Sequence, residues 1–174
     1  MNAEEAMQMF KEAGYEAWIS EREAGVKNKA KKKSLWVKVD KEKIREAVEI
    51  MIENAEEYPH FSIISASDEG DNIELNYHFT FGYGKLLEEF VISLKVSLPK
   101  NALRIKSITP IIPAAILSER EIREMVGVEF DELSDKRHMF LTKDFPDGVY
   151  PWRRDETAPK ETNKLYETWK EGGN

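Results

Sequence analysis

The chain of 174 residues contains no cysteine and no long apolar run. The lack of cysteine excludes disulfides, thiolate catalysis and cysteine-ligated iron–sulfur clusters within this chain. No run approaches the roughly 20 apolar residues that a membrane-spanning helix needs. Residues 1–20 have no basic stretch followed by an apolar core, so they predict no signal peptide. We therefore expect a cytoplasmic protein that reaches a membrane only through a partner.

The chain also lacks an excess of basic charge. It has 26 Lys and Arg against 33 Asp and Glu, which gives a net charge of −7. Because phosphate groups repel an acidic chain, we expect neither nucleic acid nor anionic lipid as a partner. Charged residues nevertheless make up 34% of the sequence, well above the usual quarter or so. This mixed charge is typical of thermophile proteins, in which ion-pair networks lose less to desolvation at high temperature.

Hydrophobic periodicity predicts an α+β domain in residues 1–98. Apolar residues at helical spacing predict two helices, at 3–13 and 41–55. Alternating, β-rich runs predict four strands, at 35–39, 60–67, 72–81 and 86–98. Short glycine-containing turns join the last three strands, which predicts an antiparallel meander. We expect a small antiparallel sheet, made of this meander and one edge strand, with the helices packed on one face.

Residues 99–174 have a different composition. Prolines interrupt the periodicity, and residues 143–174 have too few apolar side chains to build a core. This last part nevertheless contains five large aromatic residues: Phe145, Tyr150, Trp152, Tyr166 and Trp169. Aromatic side chains on a polar, irregular segment predict an extended arm that packs on its own domain or on another protein.

A basic segment at residues 26–34 stands out from the acidic composition. It contains Lys27, Lys29, Lys31, Lys32 and Lys33 and has no apolar periodicity, so we predict a loop. Its lysines suit phosphate groups or anionic headgroups. In an acidic chain, a solvated loop is the preferred interpretation, and an electrostatic contact with an acidic partner is the second.

The chain has few residues suited to binding a metal or a phosphate. The histidines His60, His78 and His138 are far apart and lack ligand spacing, so ordinary surface or core roles are expected. The glycines within residues 82–84 have neither dinucleotide-binding nor P-loop spacing, and we interpret them as a hairpin turn.

Two neighbouring carboxylates, Glu119 and Glu121, raise the question of an acid–base pair. On a helix, residues two apart point about 200° from one another, so their carboxylates would not converge on one substrate. The local pattern predicts a short helix instead. Ser118 and Glu121 have the spacing of a capping box, Glu119 and Arg123 that of an ion pair, and Gly127 is placed to end the helix.

A longer pattern runs through residues 97–156. A Ser-Ile-Thr segment leads through Pro and Ala into Glu-Arg-Glu, and the pattern ends in Gly-x-x-Pro-x-Arg-Arg-Asp. Its characteristic positions from the Glu-Arg-Glu motif onward are Glu119, Arg120, Glu121, Glu124, Gly127, Phe130, Asp135, Arg137, Gly148, Pro151, Arg153, Arg154 and Asp155. In order and spacing, these residues resemble the signature region of the 30-kilodalton subunit family of respiratory complex I.

The chain departs from the resembled family at four positions. The family commonly has Trp, Gly and His at the positions of Leu117, Glu132 and Leu133, and His138 replaces one of its paired arginines. With the lack of cysteine and the high charge, this version resembles those of heat-loving archaea. Their complexes are ferredoxin-driven membrane complexes, namely energy-converting nickel–iron hydrogenases and sulfane-sulfur reductases.

The resemblance implies a subunit without a catalytic centre or cofactor of its own. It implies packing on a hydrogenase-large-subunit-like protein and beside the subunit with the proximal iron–sulfur cluster, on the cytoplasmic side of the membrane. Iron–sulfur clusters, and nickel–iron in a hydrogenase, would then lie in partner subunits. The alternative within the family is the equivalent subunit of an NADH- or other donor-linked quinone oxidoreductase. The alternatives outside it are an independent soluble enzyme using Glu119 or Glu121 and a free-standing adaptor.

We expect residues 99–174, which combine the Glu-Arg-Glu segment with the arm, to hold a partner. Charge-assisted contacts that fix the arm or its interface are predicted for Arg120, Arg137, Arg153, Arg154, Glu119 and Glu121. Arg120 is the open case, because its guanidinium can bind a carboxylate inside the fold or across an interface.

Overall fold

The computed structural model describes residues 1–25, 30–85 and 88–159. Within them, the helices are α1 (Ala3–Glu12), α2 (Ile44–Glu53) and α3 (Ile116–Val126). The strands are β1 (Glu16–Ala24), β2 (Ala30–Lys38), β3 (His60–Asp68), β4 (Asn72–Phe81), β5 (Phe90–Pro99), β6 (Arg104–Lys106) and β7 (Glu129–Asp131). The first five strands form one sheet, and β6 and β7 form a parallel pair. The α+β class predicted from the sequence is confirmed.

The five-stranded sheet contains the predicted meander but is larger and mixed. Its strand order is β1-β2-β5-β4-β3, and β3, β4 and β5 are antiparallel neighbours as predicted. β2 pairs in parallel with β5 and antiparallel with β1. The prediction of this strand as the edge of a purely antiparallel sheet was therefore wrong, because β1 forms that edge.

β1 and the first half of β2 were not predicted from the sequence. Several of their cross-strand pairs join opposite charges, and their residues lack the apolar alternation by which the other strands were predicted. The predicted loop at residues 26–34 is wrong for residues 30–34, which belong to β2, while residues 26–29 lie outside the described residues. Glu21 stands opposite Lys33, and Glu23 stands opposite Lys31. Pairs of opposite charge stabilise neighbouring strands by roughly 0.2–1 kcal/mol each without any apolar alternation.

The helices pack on one face of the sheet and bury its apolar side chains. On β4, Leu75, Tyr77 and Phe79 are fully buried, and α1 and α2 contribute Phe10 and Met51 to the same core. Burying a side chain such as Leu or Phe contributes roughly 1.5–3 kcal/mol. Both predicted helices are confirmed, although residues 41–43 form a 3-10 turn before α2. In the described part of the chain, no helix is long and apolar enough to cross a bilayer.

The core continues beyond residue 98. Ile105 of β6, Ile122 of α3 and Phe130 of β7 belong to the same cluster of buried side chains as the sheet. The first part of the signature region therefore packs with the α+β domain. The division of the chain into an α+β domain at residues 1–98 and a signature segment with an arm at residues 99–174 stays a prediction.

Glu132 has a left-handed backbone conformation, which glycine adopts more readily than other residues. Its φ is 67°, in the left-handed region that costs an L-residue roughly 1–2 kcal/mol. The resembled family commonly has Gly here, and this backbone gives the physical reason. Arg45 donates to both carboxylate oxygens of Glu132, at 3.1 and 3.2 Å, which offsets part of the cost.

α3 ends at Gly127, as predicted, and the arm crosses the helix there. Gly127 has a φ of 75°, and its N–H donates to the carbonyl of Arg123 at 3.1 Å. A Cβ added at this glycine would lie 2.5 Å from Cζ of Tyr150. The Tyr150 ring of the arm therefore occupies the space that a side chain at position 127 would need.

We expect Gly127→Ala to destabilise the fold by about 2–5 kcal/mol. Left-handed strain contributes about 1–2 kcal/mol, and overpacking against Tyr150 adds about 1–3 kcal/mol. Gly14→Ala is the matched control, because Gly14 has a φ of 89° but no atom within 4 Å of the added Cβ. Urea unfolding followed by circular dichroism measures both variants. Equal destabilisation of the two would contradict the contact between Gly127 and Tyr150.

Candidate functional site

α3 begins three residues earlier than the predicted capping box implies. A 3-10 turn at Pro113–Ala115 leads directly into Ile116, and no side chain caps the helix. Proline has a fixed φ that suits the start of a helical segment, which explains the early start. Ser118 therefore lies inside the helix, and the predicted capping box between Ser118 and Glu121 is wrong.

The predicted ion pair between Glu119 and Arg123 is also wrong. Glu119 is turned into the core and is fully buried, and one of its carboxylate oxygens accepts the N–H of Ile108 at 2.7 Å. Arg123 instead donates to Glu129 at 3.0 Å. Glu121 is only half-buried and lies on another side of the helix. The two carboxylates of the Glu-Arg-Glu motif therefore do not meet.

Glu119 belongs to a buried polar cluster with Tyr77 of β4 and Arg45 of α2. Its second oxygen, the Tyr77 hydroxyl and Arg45 Nη2 have no hydrogen-bond partner among the described residues. Burial raises the pKa of Glu119 to about 7, although hydrogen bonds from Ser107 and Ile108 and the charge of Arg45 lower it. Burial, with the nearby charge of Glu119, also raises the pKa of Tyr77 well above its ordinary value.

Glu124 holds the arm against α3. It is 5% exposed, and its carboxylate accepts hydrogen bonds of 2.6 to 3.2 Å from three consecutive backbone amides: Met139, Phe140 and Leu141. Hydrogen bonds to a charged acceptor are roughly twice as strong as neutral ones. Because residues 139–141 form no helix or strand, this one side chain supplies the acceptors that regular structure would otherwise provide.

The guanidinium of Arg120 points into its own fold. It donates to the carbonyl of Arg137 at 2.9 and 3.1 Å and to that of His138 at 3.3 Å. Its Nη1 also lies 3.3 Å from Asp135. Hydrogen bonds from Arg137 hold the pKa of Asp135 well below its ordinary value. Within this chain, Arg120 therefore fixes the loop at residues 135–138.

Arg153 joins the arm to the end of α3. It is 9% exposed, and its Nε donates to the carbonyl of Val126 at 2.7 Å. Carbonyls in the last turn of a helix have no partner within the helix, and a cation there is favoured by the helix dipole. The same guanidinium lies 3.2 Å from Asp155 and 5.1 Å from the centroid of the Tyr150 ring.

A second group of charges joins the arm to the sheet. Asp68, at the end of β3, is 3% exposed and accepts the N–H of Arg154 at 2.8 Å. Lys100 donates to both Asp68 and Asp155, and its hydrogen bond holds the pKa of Asp155 well below the ordinary value. Sequence reasoning missed Asp68 and Lys100, because Asp68 and Arg154 are 86 positions apart and no local pattern links them.

The remaining signature positions serve backbone conformation and packing. Phe130 is fully buried, and Gly148 has a φ of 77° in the arm. Pro151 is half-buried in the arm, whereas the side chain of Arg154 is exposed and its N–H makes the contact with Asp68. An interface role for any signature residue stays a prediction. Tyr166 and Trp169 of the predicted aromatic arm lie outside the described residues.

The histidines occupy ordinary positions. His60 stacks on Tyr83, and His78 is hydrogen-bonded to Ser65 and Ser93. In residues 1–25, 30–85 and 88–159, no group of three or more His, Asp or Glu side chains could hold a metal ion. The site is therefore a set of contacts between α3 and the arm.

Comparison with known proteins identifies a family and several related sequences. Residues 37–162 match the family described as the 30 Kd subunit of respiratory-chain NADH dehydrogenase. The chain is 34% identical to membrane-bound hydrogenase subunit beta of Pyrococcus furiosus over 136 residues, which are 77% of this chain and 76% of that protein. It is 36% identical to formate hydrogenlyase subunit 5 of Escherichia coli over 88 residues, which are 49% of this chain but 16% of that protein.

A solved structure covers nearly the whole chain. It is that of the membrane-bound sulfane sulfur reductase, an archaeal respiratory membrane complex. The matched chain has a TM-score of 0.65 and 26% sequence identity, and the match covers 96% of this chain and 89% of that one.

We expect Glu119→Gln to remove a pH dependence of stability. The pKa of Glu119 is raised from 4.5 to about 7 in the folded state, so the folded protein retains a proton that the unfolded chain loses. Stability therefore falls as pH rises from 4.5 to 7, by about 3 kcal/mol in all. Urea unfolding at a series of pH values should show this fall in the wild type and not in the variant.

Glu121→Gln is the control for this experiment, because Glu121 is half-buried on the same helix. It should keep the pH profile of the wild type. If Glu119→Gln also keeps that profile, Glu119 is not the titrating group.

We expect Glu124→Ala to release residues 139–141 from α3. Losing hydrogen bonds to a charged acceptor costs about 1.5–3 kcal/mol. The amides of Met139, Phe140 and Leu141 should therefore exchange with deuterium about 10- to 100-fold faster. Amides of β4 serve as the internal reference, and Glu121→Ala serves as the control variant. Unchanged exchange at residues 139–141 would show that Glu124 does not hold the arm.

Proposed function

Because the chain belongs to the family of the 30-kilodalton subunit of respiratory-chain NADH dehydrogenase, we propose that it is a non-catalytic subunit of a membrane-bound respiratory complex. The complex that we favour is a ferredoxin-dependent hydrogenase or sulfane reductase that couples electron transfer to ion pumping. The support is the likeness to a membrane-bound hydrogenase subunit over three quarters of both chains and to a chain of the sulfane sulfur reductase. In this proposal, the chain lies on the cytoplasmic side of the membrane and is held there by its partners.

The observation that carries this proposal is that charged residues of the signature region bind backbone groups of the chain itself. Arg120, Glu124 and Arg153 bind the backbone of the arm or of α3. Charged groups used in this way position a surface rather than a substrate. The surface that they build leaves large apolar side chains exposed, with Leu117 at 55% and Phe140 at 59%. Such side chains are suited to contact with a partner protein.

We propose that this surface packs on a hydrogenase-large-subunit-like protein and beside the subunit with the proximal iron–sulfur cluster. The iron–sulfur clusters, and nickel–iron in the hydrogenase case, would lie in those partners. One comparison supports packing against a larger protein of the same complex. In formate hydrogenlyase subunit 5 the matching part occupies 16% of the protein, so a related segment is covalently joined there to a much longer chain.

The second candidate is the equivalent subunit of an NADH- or other donor-linked quinone oxidoreductase. The family description, which names NADH dehydrogenase, favours it. Purification of the complex from detergent-solubilised membranes separates the two candidates. Nickel with hydrogenase activity supports the hydrogenase. Iron–sulfur protein without nickel is consistent with either the sulfane reductase or the quinone oxidoreductase. Activity assays with polysulfide and with quinone then distinguish these two.

We expect Arg120→Ala and Arg153→Ala to lower the amount of large subunit that co-purifies with this chain severalfold. Each change removes a donor that fixes the arm, so the arm would no longer present one defined surface. Arg104→Ala is the matched control, because Arg104 forms an exposed ion pair with Asp131 on β6 and β7. Normal assembly of both arm variants would show that the arm has no docking role.

A further inference from the structure

In residues 1–25, 30–85 and 88–159, the helices leave one face of the five-stranded sheet uncovered, and we call it the open face. Strand alternation assigns every second residue of each strand to it, while intervening residues such as Leu35 and Val37 are buried in the core. On β1 and β2 its residues stand in the pairs Glu16–Lys38, Trp18–Trp36, Ser20–Ser34 and Arg22–Lys32. On β4 and β5 they include Glu74, His78, Ser93 and Lys95.

The centre of the open face is aromatic and uncharged. Trp18 is 39% exposed and lies directly opposite Trp36, whose ring contacts the ring of His78 edge-on at a centroid distance of 6.2 Å. The two His78 nitrogens are hydrogen-bonded to the hydroxyls of Ser65 and Ser93, at 2.9 and 2.8 Å. Burial lowers the pKa of His78, which favours the uncharged form of its ring. Tryptophan is enriched among the residues that dominate protein–protein binding energy.

A basic pair lies on the same face, separated from the aromatic pair by Ser20 and Ser34. Arg22 and Lys32 stand directly opposite one another, and no carboxylate of the described residues forms an ion pair with either. Like charges in this position destabilise a strand pair. The open face also carries more cations than carboxylates: Arg22, Lys32, Lys38 and Lys95 against Glu16 and Glu74. This local excess contrasts with the net charge of −7 for the whole chain.

From this arrangement we propose that the open face binds an acidic segment of a partner subunit. Apolar side chains of that segment would rest on Trp18 and Trp36, and its carboxylates would pair with Arg22 and Lys32. Charge complementarity is the argument for an acidic occupant, because binding would relieve the repulsion between the two opposed cations. The inference rests on the proposed function, in which the chain is part of a larger complex.

A protein segment fits this face better than a lipid surface or a nucleic acid. Binding to anionic lipid commonly takes a cluster of about 4–8 basic residues. Nucleic acid likewise requires many phosphate contacts and a strongly basic surface. Here Lys38 and Lys95 are already paired with Glu16 and Glu74, so among the described residues of the open face Arg22 and Lys32 remain for a partner. Two cations beside a tryptophan pair match a short acidic and apolar segment.

The first test reverses both charges, with Arg22→Glu and Lys32→Glu together, in the complex purified through an affinity tag on another subunit. We expect about a tenfold loss of this chain from the complex, because reversal turns attraction into repulsion at a specific contact. The double variant Lys11→Glu and Lys106→Glu is the matched control, since it reverses two charges at exposed positions away from the open face.

Equal retention of the charge-reversed chain, the control and the wild type would overturn the inference and leave the proposed function intact. If even the wild-type chain fails to co-purify with any other subunit, the proposed function itself is overturned, and this inference with it.

The second test identifies the occupant directly. Because the chain has no cysteine, Ser20→Cys provides a unique attachment site for a benzophenone crosslinker between the aromatic and basic pairs. In the assembled complex, we expect a crosslink to a peptide of another subunit that is rich in Asp or Glu. Glu12→Cys, at the exposed end of α1, should not crosslink to that peptide. A crosslink to lipid, to a second copy of this chain or to nothing would overturn the inference.

Discussion

One requirement governs the described residues after β7: residues 132–159 form no helix or strand, so their backbone must find hydrogen-bond partners elsewhere. Glu124 accepts three consecutive amides of the arm, and Arg120 donates to carbonyls just before them. Arg153 returns from the arm to the last turn of α3. These charge-assisted bonds fix a segment that buries few apolar side chains of its own.

The charged residues of this chain have two different roles. Exposed pairs, such as Lys31 with Glu21 on the β1–β2 hairpin, contribute about 0–1 kcal/mol each. Buried groups have larger consequences, because each must be matched by a partner or change its protonation. Glu119 shows the cost, since burial raises its pKa while one of its oxygens has no partner among the described residues. Its other oxygen connects α3 to the turn at Ile108, which fixes the rotation of the helix and so directs Arg120 and Glu124 toward the arm.

The surface formed by α3 with the arm and the open face of the sheet lie on opposite sides of the molecule's five-stranded sheet. α3 and the arm belong to the side that the helices cover, whereas the Trp18–Trp36 pair lies on the uncovered side. With this geometry the chain would contact two different neighbours at once in the proposed complex. Within the Glu-Arg-Glu motif, Glu119 is buried and Glu121 is half-buried, so the two carboxylates do not converge.

The sequence by itself determined the elements whose signal is local. The apolar stripes of α1 and α2, the alternation of β3 to β5 and the end of α3 at Gly127 each depend on residues a few positions apart, and the order of the signature residues identified the family. The tertiary structure decided the rest. Only folding brings Asp68 to Arg154, β2 to β5 and Glu119 to Tyr77. These contacts join segments far apart in the chain, so no local periodicity predicts them. Arg120 binds the carbonyls of Arg137 and His138 and lies beside Asp135 because the chain after β7 returns to α3 there, which no spacing within α3 could encode.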